Sequence, residues 1–149
     1  MFKLSTNDRL SRWRSFRLHL NSLPLAEAIE KTHDFWSRCP FTPYYLNPAE
    51  PEHWPNPWDL IIENYYCDLA KVLGLVYTLY LTAHCSSLSP EIRIYLNQKT
   101  RHTYHIADFC NGKYVLNLAE SEIVNKQHIN QDFILKYCYS AVDLKLEQY

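Results

Sequence analysis

Two stretches of the chain show helical spacing of apolar side chains. Between Pro24 and Pro40, apolar residues recur every three or four positions, which predicts an amphipathic helix that begins at Pro24. A longer apolar segment predicts a buried helix over roughly residues 66–82. A short helix over residues 58–64 is expected just before it, after the last of several prolines.

The apolar period changes to two in the second half of the chain. Residues 92–96 alternate apolar and polar side chains, which predicts a strand. Residues 102–109 predict a second strand and residues 114–118 its antiparallel partner, joined by the tight turn that an Asn-Gly pair favours. We expect residues 123–129 to add an edge to the sheet and residues 132–139 to form a last helix.

Helices followed by a small antiparallel sheet predict an α+β domain. A chain of 149 residues fits one domain, residues 1–149. We divide it into four parts along the sequence: a basic N-terminal arm (1–22), a helix with a loop rich in proline and aromatic residues (23–54), a core (55–118) and C-terminal elements (119–149).

Composition excludes several classes of protein. Hydrophobic residues make up 47% of the chain, which excludes disorder, and two glycines are too few for a glycine-rich phosphate loop. The long apolar run is broken by Lys71 and is too short for a membrane span, and the N-terminus holds no signal-peptide core. We therefore expect a cytoplasmic or virion-associated protein that does not enter a membrane.

Five cysteines at irregular spacing favour a reducing compartment over a disulfide framework. The sequence contains no Cys-x-x-Cys or His-x-x-x-His pair, so we expect no metal site, and we expect no cofactor.

Four arginines near the start of the chain surround aromatic residues. Arg12, Arg14 and Arg17 stand beside Trp13, in a segment whose apolar residues fit a strand or a helix equally well. This pattern is typical of a solvated basic face, and it also suits a docking arm for an acidic partner or a phosphate backbone. Arg12, Trp13, Arg14 and Arg17 are candidate binding residues. A formal net charge of −1 argues against nucleic acid as the partner.

Cys67 carries the clearest chemical signal, because it is expected in the first turn of the buried helix. Unpaired N–H groups and the positive end of the helix dipole favour a thiolate there, although a buried cysteine also serves as a small hydrophobic residue. A thiol nucleophile needs a base and a group that orients the base. The candidates are His102 or His105 as the base and Asn117 as the orienting group. His102 lies 35 residues after Cys67 and 15 residues before Asn117.

With these residues the sequence resembles the transglutaminase-like branch of papain-like thiol proteins. The resemblance covers residues 55–118 and rests on Pro-Trp-Asp-Leu-Ile leading to Cys-Asp-Leu-Ala, on His-Thr-Tyr and on Asn-Gly-Lys-Tyr-Val-Leu-Asn. It implies Cys67 as nucleophile, His102 as base and Asn117 as third member, with His105 as the alternative base. Because three positions separate the two histidines, a regular strand points them to opposite faces and only one can meet Cys67.

The chain departs from the family pattern at two places. Bulky Tyr65 and Tyr66 replace the small and acidic residues before the cysteine, and Asn117 replaces an aspartate. These departures favour a scaffold that binds other protein subunits in a structural or assembly role, such as a component of a tailed-phage particle, with Tyr65 and Tyr66 as candidate contacts. The alternative is a cysteine-dependent acyltransferase or amide hydrolase that acts on a peptide or carboxamide.

Overall fold

Helix α4 (Asp68–Tyr80) is the central element of the fold. The structure is a computed structural model that describes residues 1–119 and 122–149. Most side chains of α4 are buried because the other three helices and the sheet pack around it. Its bounds lie within the predicted segment of residues 66–82. Among the described residues, no helix is long and apolar enough to cross a membrane.

The three preceding helices are α1 (Thr6–Leu20), α2 (Leu25–Ser37) and α3 (Pro57–Glu63). Side-chain oxygens that precede α1 and α3 accept hydrogen bonds from N–H groups of the first turn of each helix. Helix α2 begins directly after Pro24, whose fixed φ suits a helix start.

Thr78 attaches both α1 and α2 to the central helix. Its Oγ1 accepts a hydrogen bond of 2.9 Å from the indole Nε1 of Trp13 and another of 2.9 Å from Trp36. Gly74, one turn earlier, lets the Trp36 ring lie directly against the helix backbone. Residues 6–20 of the basic N-terminal arm therefore form a helix that is docked on the core.

The sheet has four antiparallel strands in the order β3-β2-β1-β4. The strands are β1 (Glu91–Asn97), β2 (Thr103–Phe109), β3 (Tyr114–Leu116) and β4 (Phe133–Ser140). One face contributes apolar residues such as Ala107 and Phe109 to the main core, which also contains the buried side chains of α4. The other face carries a small cluster around Ile106. The predicted α+β class is confirmed.

The predicted helix over residues 132–139 is wrong, because this segment forms the edge strand β4. The central residues of β4 are exposed, so the strand lacks the alternation of buried and exposed positions that identifies a strand in a sequence. Strand β3 ends earlier than expected, because Asn117 adopts a φ of 69°. The Asn111-Gly112 turn is also wider than expected, with positive φ at Cys110 as well as at both turn residues.

Candidate active site

Cys67 is the N-cap residue of α4, one position before the first turn in which it was expected. Its Sγ accepts a hydrogen bond of 3.5 Å from the Ala70 N–H, and its carbonyl oxygen accepts one of 2.9 Å from the Lys71 N–H. The thiol therefore takes the place of the serine or aspartate that usually caps a helix. The sulfur thus lies at the N-terminal end of a helix, within reach of a backbone N–H donor.

The chain around Cys67 leaves the residue 8% exposed. The Thr42 N–H donates to the Tyr66 carbonyl oxygen at 3.0 Å and holds the proline-rich loop beside the cysteine. From that loop the Tyr44 ring lies 6.0 Å from the ring of Tyr65, and both rings are exposed. Tyr66 is instead fully buried, so of the two candidate contact tyrosines only Tyr65 lies at the surface.

Cys39 is a second buried thiol whose surroundings differ from those of Cys67. Burial raises the pKa of Cys39 to about 11, with Lys71 opposing the shift and negative charge at Asp68 and Cys67 adding to it. A thiol with so high a pKa stays protonated at neutral pH and is a poor nucleophile. Cys39 is therefore a hydrophobic core residue.

The two candidate histidines line the same cleft, but the surroundings of their rings differ. His105 alternates with Ala107 along β2 and so lies on the face that packs against α4. His102 precedes the strand, is exposed, and has its ring centroid 4.5 Å from that of Tyr104, which belongs to the opposite cluster. Of the two residues, His105 is the one that the alternation of β2 places on the face packed against the helix that Cys67 caps.

The His105 ring has the properties of a general base. Its Nδ1 is buried, and no hydrogen-bond partner for it exists among the described residues. Burial lowers the pKa of His105, the carboxylate of Asp68 opposes this shift, and His102 adds to it. A lowered pKa keeps the imidazole neutral near pH 7, which is the form that accepts a proton.

Asn117 does not bind either imidazole ring. Its Nδ2 donates a hydrogen bond of 2.9 Å to the backbone carbonyl oxygen of His105, which holds the end of β3 against β2. The amide thus positions the strand that carries the histidine. The sequence prediction that Asn117 orients the base directly stays a prediction.

A cleft of about 260 Å³ lies where α4, β2 and the end of β3 meet. Its lining includes both histidines and Asn117, together with Asp68 and Lys71 from the first turn of the helix. Sequence reasoning passed over Lys71, although it stands four positions after Cys67 and so on the same face of the helix. The cleft gathers a base, an ammonium group and a carboxylate at the first turn of the helix that Cys67 caps.

Comparisons with known proteins identify the fold. No protein-family model and no curated protein sequence matches the chain. Among solved structures, calcium-bound LapG of Legionella pneumophila matches with a TM-score of 0.71 and 17% identity over 93% of this chain and 78% of that chain. Another LapG structure and the EGTA-treated form each match with a TM-score of 0.70 and 17% identity, over 91% of this chain and 75% and 74% of theirs.

The fold is transglutaminase-like. The fold that the resemblance implies is confirmed, and an identity of 17% shows no more than the fold. The comparisons offer no support for an origin in a tailed phage or for a structural role in a virion, which stay predictions.

One of the matching LapG structures is calcium-bound. Within residues 1–119 and 122–149, no group of three or more His, Cys, Asp or Glu side chains is placed to hold an ion.

The four basic-arm candidates differ in what they contact. Trp13 is 1% exposed and belongs to the core. The Arg17 guanidinium lies 4.1 Å over the Trp13 ring, and burial together with Arg14 lowers the pKa of Arg17. Arg12 and Arg14 are exposed. Arg17 is partly exposed and Trp13 is buried, so Arg12 and Arg14 are the most accessible of the four.

Proposed function

We propose that this protein is a cysteine-dependent enzyme that cleaves or transfers amide-linked acyl groups. One observation carries the proposal: Cys67 caps the helix that packs against β2, and β2 holds the buried, unpaired Nδ1 of His105 on that same side. The transglutaminase-like fold supports this reading of the two residues.

In the proposed reaction Cys67 Sγ attacks the carbonyl carbon of a peptide or carboxamide. The thiol proton passes to His105, and the sulfur forms a bond to carbon while the carbonyl electron pair moves to oxygen. Free N–H groups at the start of α4 stabilise that oxyanion. Collapse of the intermediate breaks the carbon–nitrogen bond, and His105 returns the proton to the departing amine.

The acyl group then remains on Cys67 as a thioester until a second nucleophile removes it. Water gives hydrolysis and an amine gives transfer, and in both cases His105 takes the proton of the incoming nucleophile. Asn117 keeps the β2 backbone in place through its bond to the His105 carbonyl. Lys71 and Asp68 line the cleft, where they offer opposite charges to the substrate.

Single substitutions test these roles, with fluorescent-amine incorporation into casein and casein hydrolysis as the two readouts. We expect Cys67→Ala to abolish both activities, since the nucleophile is lost. His105→Ala should lower the rate by about 10²–10⁴-fold, the range for a general base. His102→Ala serves as the matched control and should lower the rate less than about tenfold, because its ring packs on Tyr104.

Two results would contradict the proposal. Activity that survives Cys67→Ala refutes the cysteine mechanism as a whole. A larger loss from His102→Ala than from His105→Ala refutes the choice of base and returns that role to His102.

A scaffold that binds other protein subunits is the second candidate, and it is favoured by two features of the same site. Cys67 is only 8% exposed, and Asn117 bonds to backbone instead of to an imidazole. In this case the role of the protein would survive Cys67→Ala. Loss of subunit binding in a folded Cys67→Ala variant would count against the scaffold.

A further inference from the structure

Two neighbouring cavities on the outer side of α1 and α2 form one continuous groove. Their volumes are about 390 Å³ and 460 Å³, and Arg12, Phe35 and Arg38 line both. The first cavity lies between the two helices, and the second extends it toward Lys3 and Leu4. None of the residues that line the groove lines the cleft that contains His105 and Lys71.

Positive charge is concentrated in this groove. Lys3, Arg12, Lys31 and Arg38 line it, whereas the formal net charge of the whole chain is −1. Lys31 lies 3.8 Å from Glu27 on the helix surface. The other three cations have no ion-pair partner in the part of the chain that the structure describes.

Asp34 is the one carboxylate among the described residues that line the groove, and it lies 3.9 Å from the His33 ring. His19 lines the same cavity and adds positive charge when it is protonated. The balance of charge in the groove is therefore clearly positive at neutral pH.

Apolar side chains form the floor of the groove. The rings of Phe16 and Phe35 stack with centroids 4.3 Å apart and planes 9° from parallel, and both are partly exposed. Phe2 and Leu4 extend the apolar surface into the second cavity, and Leu4 is 43% exposed. A ligand that fills the groove must therefore place apolar groups on the floor and negative groups at the rim.

We propose that the groove binds an acidic polypeptide segment whose carboxylates alternate with apolar side chains. Arg12 and Arg38 are placed to bind carboxylates, since a guanidinium donates two parallel hydrogen bonds to a carboxylate. The apolar side chains of the segment cover Phe16 and Phe35 and remove them from water. A nucleic acid fits less well, because its sugar-phosphate backbone offers no aliphatic groups to the Leu4 end of the groove.

The test uses a fluorescein-labelled peptide that repeats Asp-Leu-Glu, with binding measured by fluorescence anisotropy. The R12E/R38E variant should bind the peptide at least about tenfold more weakly, because two charge-assisted contacts become repulsive. R12K/R38K keeps the charge but loses the paired guanidinium bonds, so its affinity should fall between those of the wild-type chain and R12E/R38E.

K136E/K145E is the matched control, because it changes the net charge by the same amount at exposed sites outside the groove. It should bind like the wild-type chain. Equal weakening in this control would reduce the binding to overall charge and overturn the proposal. Tighter binding of a single-stranded DNA oligonucleotide than of the peptide would also overturn it, in favour of a nucleic-acid groove. Both outcomes leave the chemistry at Cys67 untouched, because peptide binding is measured without turnover.

Discussion

Replacing Thr78 with valine removes one hydroxyl group and leaves two buried indoles without an acceptor. Trp13 and Trp36 both donate to this oxygen at 2.9 Å, and both rings are almost completely buried. Valine has nearly the shape of threonine, so no cavity forms and the loss is polar. Each buried N–H left unpaired costs about 1–3 kcal/mol, which gives about 2–6 kcal/mol for Thr78→Val.

The assay is urea unfolding followed by tryptophan fluorescence, because Trp13 and Trp36 contribute to the signal and become exposed to water when the protein unfolds. A loss of stability lowers the urea midpoint. In a separate thermal melt, a loss of about 4 kcal/mol lowers the melting temperature of a domain of this size by about 8–16 °C. Thr78→Ser is the control: it keeps the hydroxyl, loses one methyl group and should cost about 1 kcal/mol. A valine variant as stable as the serine variant would refute the reasoning that the shared acceptor holds α1 and α2 on α4.

Three further predictions concern stability. Gly74→Ala should destabilise the protein by about 1–3 kcal/mol in urea unfolding, because the added Cβ overlaps the buried Trp36 ring, and unchanged stability would contradict this close approach. Arg9→Lys should cost about 2–4 kcal/mol in the same assay, because lysine cannot replace the guanidinium that donates to backbone oxygens at the end of α3, and a neutral effect would refute it. Burial lowers the pKa of His105 in the folded chain, so the free energy of unfolding should fall as the pH drops below about 6.5. In urea titrations His105→Gln should reduce this dependence of stability on pH, and an unchanged dependence would contradict the lowered pKa.

The sequence predicts the elements that have a clear period or a clear boundary. Pro24 marks the start of α2, and the long apolar run marks α4. Strand β4 could not be predicted in this way, because an exposed edge strand has no buried face to impose alternation. Helix α1 could not be predicted from local periodicity either. Its buried Trp13 donates a hydrogen bond to Thr78, a residue 65 positions away.

The residue types of the candidate site could be predicted from the sequence, but which histidine faces α4 could not. The sequence indicates a cysteine at a helix start and two histidines near a strand, but the alternation that decides which ring faces α4 depends on where β2 begins. The role of Asn117 depends on its positive φ, which turns the side chain toward the His105 carbonyl and which no local pattern announces. Helical spacing alone could have predicted Lys71 as a site residue, because it stands four positions after Cys67.

The most direct test of the central claim is the rate at which iodoacetamide alkylates each cysteine, followed by peptide mapping. Cys85 is exposed and serves as an internal reference for an ordinary thiol. At mildly acidic pH we expect Cys67 to react at least about tenfold faster than Cys85, because the Ala70 N–H and the helix end stabilise its thiolate, and we expect His105→Gln to slow it. A Cys67 that reacts more slowly than Cys85, at a rate that His105→Gln does not change, would contradict the account of Cys67 as an activated nucleophile.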